Sequence, residues 1–218
     1  MVGLRVEKFK ASAIRDTVAD ALRRALLEGR FKPGESLSDA AIAVKFHISR
    51  GPVREAMLVL AGEGLLVHTQ NRGFFVLNFT EADLSKIDEV RLPLESLALA
   101  NARAHATEAD FKYLNKVKTK LARAFESDDQ FGRLRAEFEF HGYIWELAGN
   151  PWLVSSLKRI MFPSFTYGTA FRLNRPGLSG EMMAQMHNLY IEFLAGTSPY
   201  TAEECVRLHI GLPSNSAT

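Results

Sequence analysis

The sequence holds a single cysteine, Cys205, so no disulfide can close within the chain and a reducing cytoplasm is the expected compartment. It has no unbroken apolar run of about 18 residues, so no membrane-spanning helix is expected. Met1 to Lys10 carries Arg5, Glu7, Lys8 and Lys10 and no long apolar stretch, which argues against a secretory signal. There is no internal repeat and no low-complexity tract. The balance of 47% hydrophobic and 24% charged residues excludes general disorder and leaves fraying only for the ends, such as Pro213 to Thr218.

Net charge is scarce too, at +2, but it is unevenly spread. Residues 1–76 hold 12 Lys/Arg against 8 Asp/Glu, while residues 77–218 hold 15 against 17. A basic first third on a mildly acidic remainder suits nucleic acid bound at one end. A length of 218 residues admits one large domain or two small ones.

Ile14, Val18, Ala21, Leu22, Ala25 and Leu26 form one apolar helical face. Gly29 stops that helix and Pro33-Gly34 turns the chain. Ser38 caps a second short helix with apolar Ala41, Ile42, Val44 and Phe46. His47-Ile48 is a tight connection. Ser49 then caps a third helix, with Pro52 in its first turn and Val53, Ala56, Met57 and Leu60 as its buried face. Gly62 and Gly64 end it. Leu65 to Val67 and Phe74 to Leu77 read as two strands joined at Asn71-Arg72-Gly73. No strand signal follows Asn78. Helices are expected from Thr80 to about Ala104, Thr107 to Phe125, Asp129 to Ala148, Trp152 to Arg172, Ser179 to Leu194 and Thr201 to Gly211, with a loop at 174–177. The expected fold is therefore mainly α: a winged helix-turn-helix of three helices plus a β-hairpin over residues 1–77, then an all-α bundle over residues 80–212.

A helix, a tight turn, a second helix and a hairpin make a DNA-reading module. The recognition helix is expected at 49–62, whose start is polar and basic and whose rear is apolar. Arg50 and Arg54 are four residues apart and share a face. A guanidinium there can grip guanine O6 and N7, worth about 1–3 kcal/mol of discrimination. Ser49 can donate to a phosphate at the helix N-terminus. At the wing tip Gly73 permits close approach and Arg72 suits a negative minor groove. The bland alternative is a set of solvated charges, with Arg54 paired to Glu55 or Glu63.

These residues carry a resemblance. The runs Gly29 to Asp39 and Ile48 to Met57, with Ala43, Leu60, Glu63-Gly64-Leu65 and Arg72-Gly73, resemble the GntR family of bacterial repressors over about residues 14–76. The resemblance implies DNA contacts at Ser49, Arg50 and Arg54 and a wing-tip glycine at Gly73. Some relatives carry a DNA-touching Arg near the start of the second helix, where this chain has Ala40.

The helical half resembles the FadR-type subgroup of that family, through Glu89-Val90-Arg91, Leu94-Glu95, Phe140-His141, Ala148-Gly149-Asn150, His187 and His209. The resemblance implies an effector domain of six or seven helices and a metal held by one Asp and three His. Here Glu137 stands in the Asp position, one methylene longer. Independently of the resemblance, Glu137 and His141 lie at i and i+4, with His187 and His209 on later helices that a bundle can bring together. Such ligands suit a divalent ion such as Zn, Ni, Mn or Fe, each His binding only when neutral. Arg91 either meets an effector carboxylate or pairs with Glu95 at i+4. Arg159 and Arg172 are weaker candidates for the same role. Phe138, Tyr143, Trp145, Trp152, Phe162, Phe165 and Tyr167 are expected in the core or as pocket wall, and Cys205 in packing.

The leading expectation is a cytoplasmic homodimeric repressor that reads a palindromic double-stranded operator and answers to a small carboxylate, with no membrane partner. The alternatives are a metal-responsive regulator in which the ion is the signal, a metallohydrolase, and an adaptor without any effector. The hydrolase lacks any further acid–base motif such as His-Glu-x-x-His.

Overall fold

A computed structural model describes residues 7–127, 129–168 and 179–213. They fall into two compact units that divide between Phe79 and Thr80.

In the first unit, α1 (Glu7–Leu27) buries Val18, Ala19, Leu22 and Leu26 against α3. Ile14, expected on that face, is 40% exposed. Next come β1 (Ser36–Leu37), α2 (Asp39–Phe46), α3 (Arg50–Gly62), β2 (Leu66–Thr69) and β3 (Gly73–Val76). The Ser38 hydroxyl accepts the Ala41 N–H at 3.3 Å and starts α2. On α2 only Ile42 and Ala43 are buried, so Val44 is not a core residue. His47 takes a left-handed conformation, φ 53°, to make the tight connection. Val53, Ala56, Met57 and Leu60 of α3 are all fully buried. Asn71 (φ 62°) and Gly73 (φ 92°) turn the hairpin.

The wing is a three-stranded antiparallel sheet in the order β1-β3-β2, rather than a two-stranded hairpin. Leu37 pairs with Phe74 on one side, and His68 pairs with Phe74 on the other. A two-residue strand has no periodicity to detect, which is why β1 leaves no trace in the sequence.

The second unit is helical among the described residues: α4 (Glu81–Arg103), α5 (Glu108–Glu126), α6 (Gln130–Leu147), α7 (Pro151–Pro163), α8 (Gly180–Ala195) and α9 (Ala202–His209). Thr80 with Asp83, Thr107 with Asp110 and Thr201 with Glu204 form reciprocal capping boxes that start α4, α5 and α9. α5 packs on α6 and α8, and α4 packs on α6, α7 and α9. Leu99, Leu114, Val117, Phe140, Ile144, Tyr190, Cys205 and Val206 form the core. Trp152, expected in the core or a pocket wall, is 84% exposed, because it sits in the first turn of α7 on the solvent side.

α7 is shorter than the expected Trp152 to Arg172 helix. Pro163 has no N–H to give the carbonyl four residues back, and the chain continues as a π-helical turn, Ser164–Gly168. The rest of that expected helix, the 174–177 loop and the end at 214–218 lie outside the described residues.

Candidate functional site

Two constellations stand out, one in each unit. In the first, Ser49, Arg50 and Arg54 are exposed at the start of α3. Ser49 occupies the cap position, but its hydroxyl makes no capping bond, so it is free for another partner. Arg54 pairs with neither Glu55 nor Glu63. Glu63 is taken by Arg23, whose guanidinium approaches it at 2.8 Å. Asp39 instead receives both recognition-helix arginines: Arg50 Nη2 donates to Oδ1 at 2.8 Å, and Arg54 Nη1 lies 3.4 Å from Oδ2. The Arg54 guanidinium also lies 5.9 Å from the Phe74 ring centroid. At the wing tip, Arg72 is exposed and its guanidinium lies 5.8 Å from the Phe75 ring centroid. Open space surrounds Gly73, but its φ of 92° disfavours any residue with a side chain.

The second constellation is buried. Glu137 and His141 on α6, His187 on α8 and His209 at the end of α9 converge, with one ligand atom from each inside a 4.8 Å span. All four are buried. This cluster can hold a metal ion. His141 Nδ1 faces Glu95 Oε1 at 2.6 Å. His187 Nδ1 faces the Met183 carbonyl at 2.8 Å, and His209 Nδ1 the Met186 carbonyl at 3.4 Å. A carbonyl only accepts, so Nδ1 carries the proton in His187 and His209 and Nε2 keeps its lone pair. This is how metal-bound imidazoles are oriented from behind.

The electrostatics keep one carboxylate of the centre ionised. Burial alone would raise the Glu137 carboxyl, but His187 and His141 hold it well below the usual carboxylate range. Burial opposes a charge on His141, yet Glu95 and Glu137 raise its affinity for a proton. Burial, then the neighbouring His187 and His141, push His209 well below an ordinary imidazole and keep it neutral. His141 Nε2 lies 3.4 Å from Glu137 Oε2 but has no hydrogen-bond partner among the described residues. An unsatisfied buried nitrogen beside a carboxylate fits an ion placed between them.

Arg91, on α4, belongs to the same centre. Its Nε donates to Glu95 Oε2 at 2.6 Å, so the i+4 ion pair is present. Its Nη2 has no hydrogen-bond partner among the described residues, and neither do Tyr190 Oη or Thr166 Oγ1. Burial pushes the Tyr190 phenol well above its usual value, so its O–H remains a donor. Phe165, from the π turn, lies 5.1 Å from the His141 ring and 5.5 Å from the Arg91 guanidinium. Arg159 is exposed, and Arg172 lies outside the described residues. Sequence reasoning gave no site role to Tyr190, Thr166 or Asp39, and apart from its place in the family resemblance Glu95 entered only as a partner for Arg91.

An exposed basic recognition helix on a winged module, joined in sequence to a helical bundle with a buried polar centre, defines a DNA-binding transcription regulator. The comparisons agree. The description "Bacterial regulatory proteins, gntR family" matches residues 14–76, and "FCD domain" matches residues 86–212. The chain belongs to the GntR family and carries an FCD domain.

It is 30% identical over 140 residues to the Uncharacterized HTH-type transcriptional regulator YdhC of Bacillus subtilis, a match spanning 64% of this chain and 62% of that one. It is 29% identical over 184 residues to the gluconate operon transcriptional repressor of Bacillus subtilis, covering 80% of this chain and 73% of the relative. The structure of E. coli McbR/YncC shares the fold, with a TM-score of 0.67 at 23% identity over 91% of this chain and 93% of that one. The family membership removes the metallohydrolase from consideration, and nothing in these relatives' names supports a regulator whose signal is the ion itself.

Proposed function

We propose that the protein is a repressor that binds a palindromic double-stranded operator as a homodimer and releases it when a small organic carboxylate occupies the buried centre of residues 80–212. In this reading residues 1–77 carry the DNA contacts, through Ser49, Arg50, Arg54, Arg72 and Gly73. The name of the gluconate operon repressor supports repression as the direction of control. Two exposed apolar residues one heptad apart on α4, Val90 and Leu97, support pairing with a second copy. Such a regulator acts in the cytoplasm; no described helix is long and apolar enough to cross a membrane.

Glu137, His141, His187 and His209 would hold a divalent ion such as Zn, Ni or Mn, as the donor set suits. The bound ion supplies a Lewis-acidic position for a carboxylate oxygen. The chain's own groups do the rest. Arg91 Nη2, the Tyr190 O–H and the Thr166 O–H offer donors to an anion, while Phe165 and Trp145 exclude water. The observation that carries this reading is the set of buried, unpartnered donors beside the Glu/His cluster.

The test is elemental analysis and native mass spectrometry of the protein, purified without chelator or a histidine tag, beside His187→Ala. The wild type is expected to carry about one metal ion per chain and to copurify with, or accept, a small carboxylate, while His187→Ala binds no ion and still binds DNA. A wild type that stays metal-free in excess Zn or Ni ends the metal reading.

A further inference from the structure

One acidic side chain stands among the basic ones of the DNA-reading unit. Asp39 opens α2, directly after the Ser38 cap, and its side chain is only 12% exposed. Its Oδ1 accepts from Arg50 Nη2 at 2.8 Å and its Oδ2 lies 3.4 Å from Arg54 Nη1. The two arginine side chains are 66% and 54% exposed. The carboxylate therefore sits behind the guanidiniums rather than in front of them.

This arrangement has a cost and a use. A carboxylate near a DNA-facing surface repels phosphates and weakens sequence-independent attraction. A guanidinium has five N–H donors, so each arginine gives one to Asp39 and keeps the others for a base edge or phosphate. An unanchored arginine samples many rotamers that must be frozen when it reads a base, whereas an anchored one is already posed. Arg50 and Arg54 lie one turn apart, and a single carboxylate holds both in register.

We infer that Asp39 is a specificity-determining positioning residue, which poses Arg50 and Arg54 for sequence readout and lowers affinity for arbitrary duplex. The inference rests on the reading of α3 as the recognition helix.

The experiment uses a duplex selected from a random library with the wild-type protein, and a scrambled duplex of equal length, both at one salt concentration. Asp39→Asn is expected to bind the selected duplex about tenfold more weakly and the scrambled duplex at least as tightly, so that the ratio of the two affinities falls. Asp39→Glu, which keeps the charge, is expected to recover part of that ratio. In a background of Arg50→Ala with Arg54→Ala, adding Asp39→Asn is expected to leave the ratio unchanged. A wild-type ratio in Asp39→Asn, or an equal fall in the background lacking both arginines, overturns the inference. If the Arg50→Ala/Arg54→Ala protein itself keeps the wild-type ratio, the recognition-helix reading fails, and the positioning role fails with it.

Discussion

His141 Nδ1 lies 2.6 Å from Glu95 Oε1, across 46 residues of sequence, and the other oxygen of that carboxylate takes Arg91 Nε at the same distance. One carboxylate thus orients both a candidate metal ligand and a candidate effector contact. Glu95→Gln is expected to weaken metal binding about 10- to 100-fold without abolishing it. Competition against a chromophoric chelator reads this out. Gln leaves the buried Arg91 charge without its partner, at about 3–5 kcal/mol, so circular dichroism must first establish that the variant is folded. Wild-type metal affinity in the folded variant would show that Glu95 does not anchor the ligand.

The effector contacts are testable apart from DNA binding. A panel of small organic carboxylates is screened by thermal shift on the wild type. For the compounds that stabilise it, Arg91→Lys is expected to lose tenfold or more in affinity, the loss of a charge-assisted hydrogen bond worth about 1.5–3 kcal/mol. Tyr190→Phe is expected to lose less. Both variants should still bind the selected duplex in the absence of carboxylate. Two variants that respond like the wild type would place the effector elsewhere.

At the recognition helix, Arg50→Ala and Arg54→Ala are each expected to cost about 1–3 kcal/mol in binding to the selected duplex, with the fold retained. Fluorescence anisotropy at fixed salt measures this. Unchanged affinity in both proteins would remove α3 from the DNA contact.

Val90→Glu with Leu97→Glu is expected to convert a dimer to a monomer in sedimentation of the full chain, because two charges would be buried on an apolar α4 face. A dimer that survives the pair of charges has its interface on another helix.

The α5 capping box gives a pH prediction. Asp110 accepts from the Thr107 N–H at 2.7 Å, the Thr107 O–H at 2.6 Å and the Tyr143 O–H at 2.6 Å. The Thr107 and Tyr143 bonds hold its carboxyl below the usual value. A depressed carboxyl stabilises the fold fully above the unfolded value, about pH 3.9, and that stability is lost as pH falls through the lower folded value. Asp110→Ala is expected to cost about 1–3 kcal/mol at neutral pH and to flatten the acid limb of the stability curve in thermal unfolding. An unchanged acid limb would leave the box without energetic weight.

Local patterns were legible in the sequence and distant pairings were not. The buried face of α3, Val53, Ala56, Met57 and Leu60, follows from helical periodicity alone. The Arg91–Glu95 pair follows from i+4 spacing, and the order of Glu137, His141, His187 and His209 from the resemblance. No periodic signal, however, marks a contact such as Glu95 to His141, or Asp39 to Arg50 eleven residues on. Those pairings depend on how helices pack. Trp152 misled for a related reason: an aromatic residue argues for burial only until its place in the helix turn is known.

The smallest element, β1, has an effect beyond its two residues. It pairs with β3 on the edge opposite β2, so the strand that begins at Gly73 is held from both sides. The Arg54 guanidinium approaches the ring of Phe74 on that same strand. These contacts restrain the base of the wing against the rest of the DNA-reading unit. If the proposed DNA contacts hold, wing and recognition helix are expected to reach a duplex together, so that the spacing of its grooves is selected along with its bases.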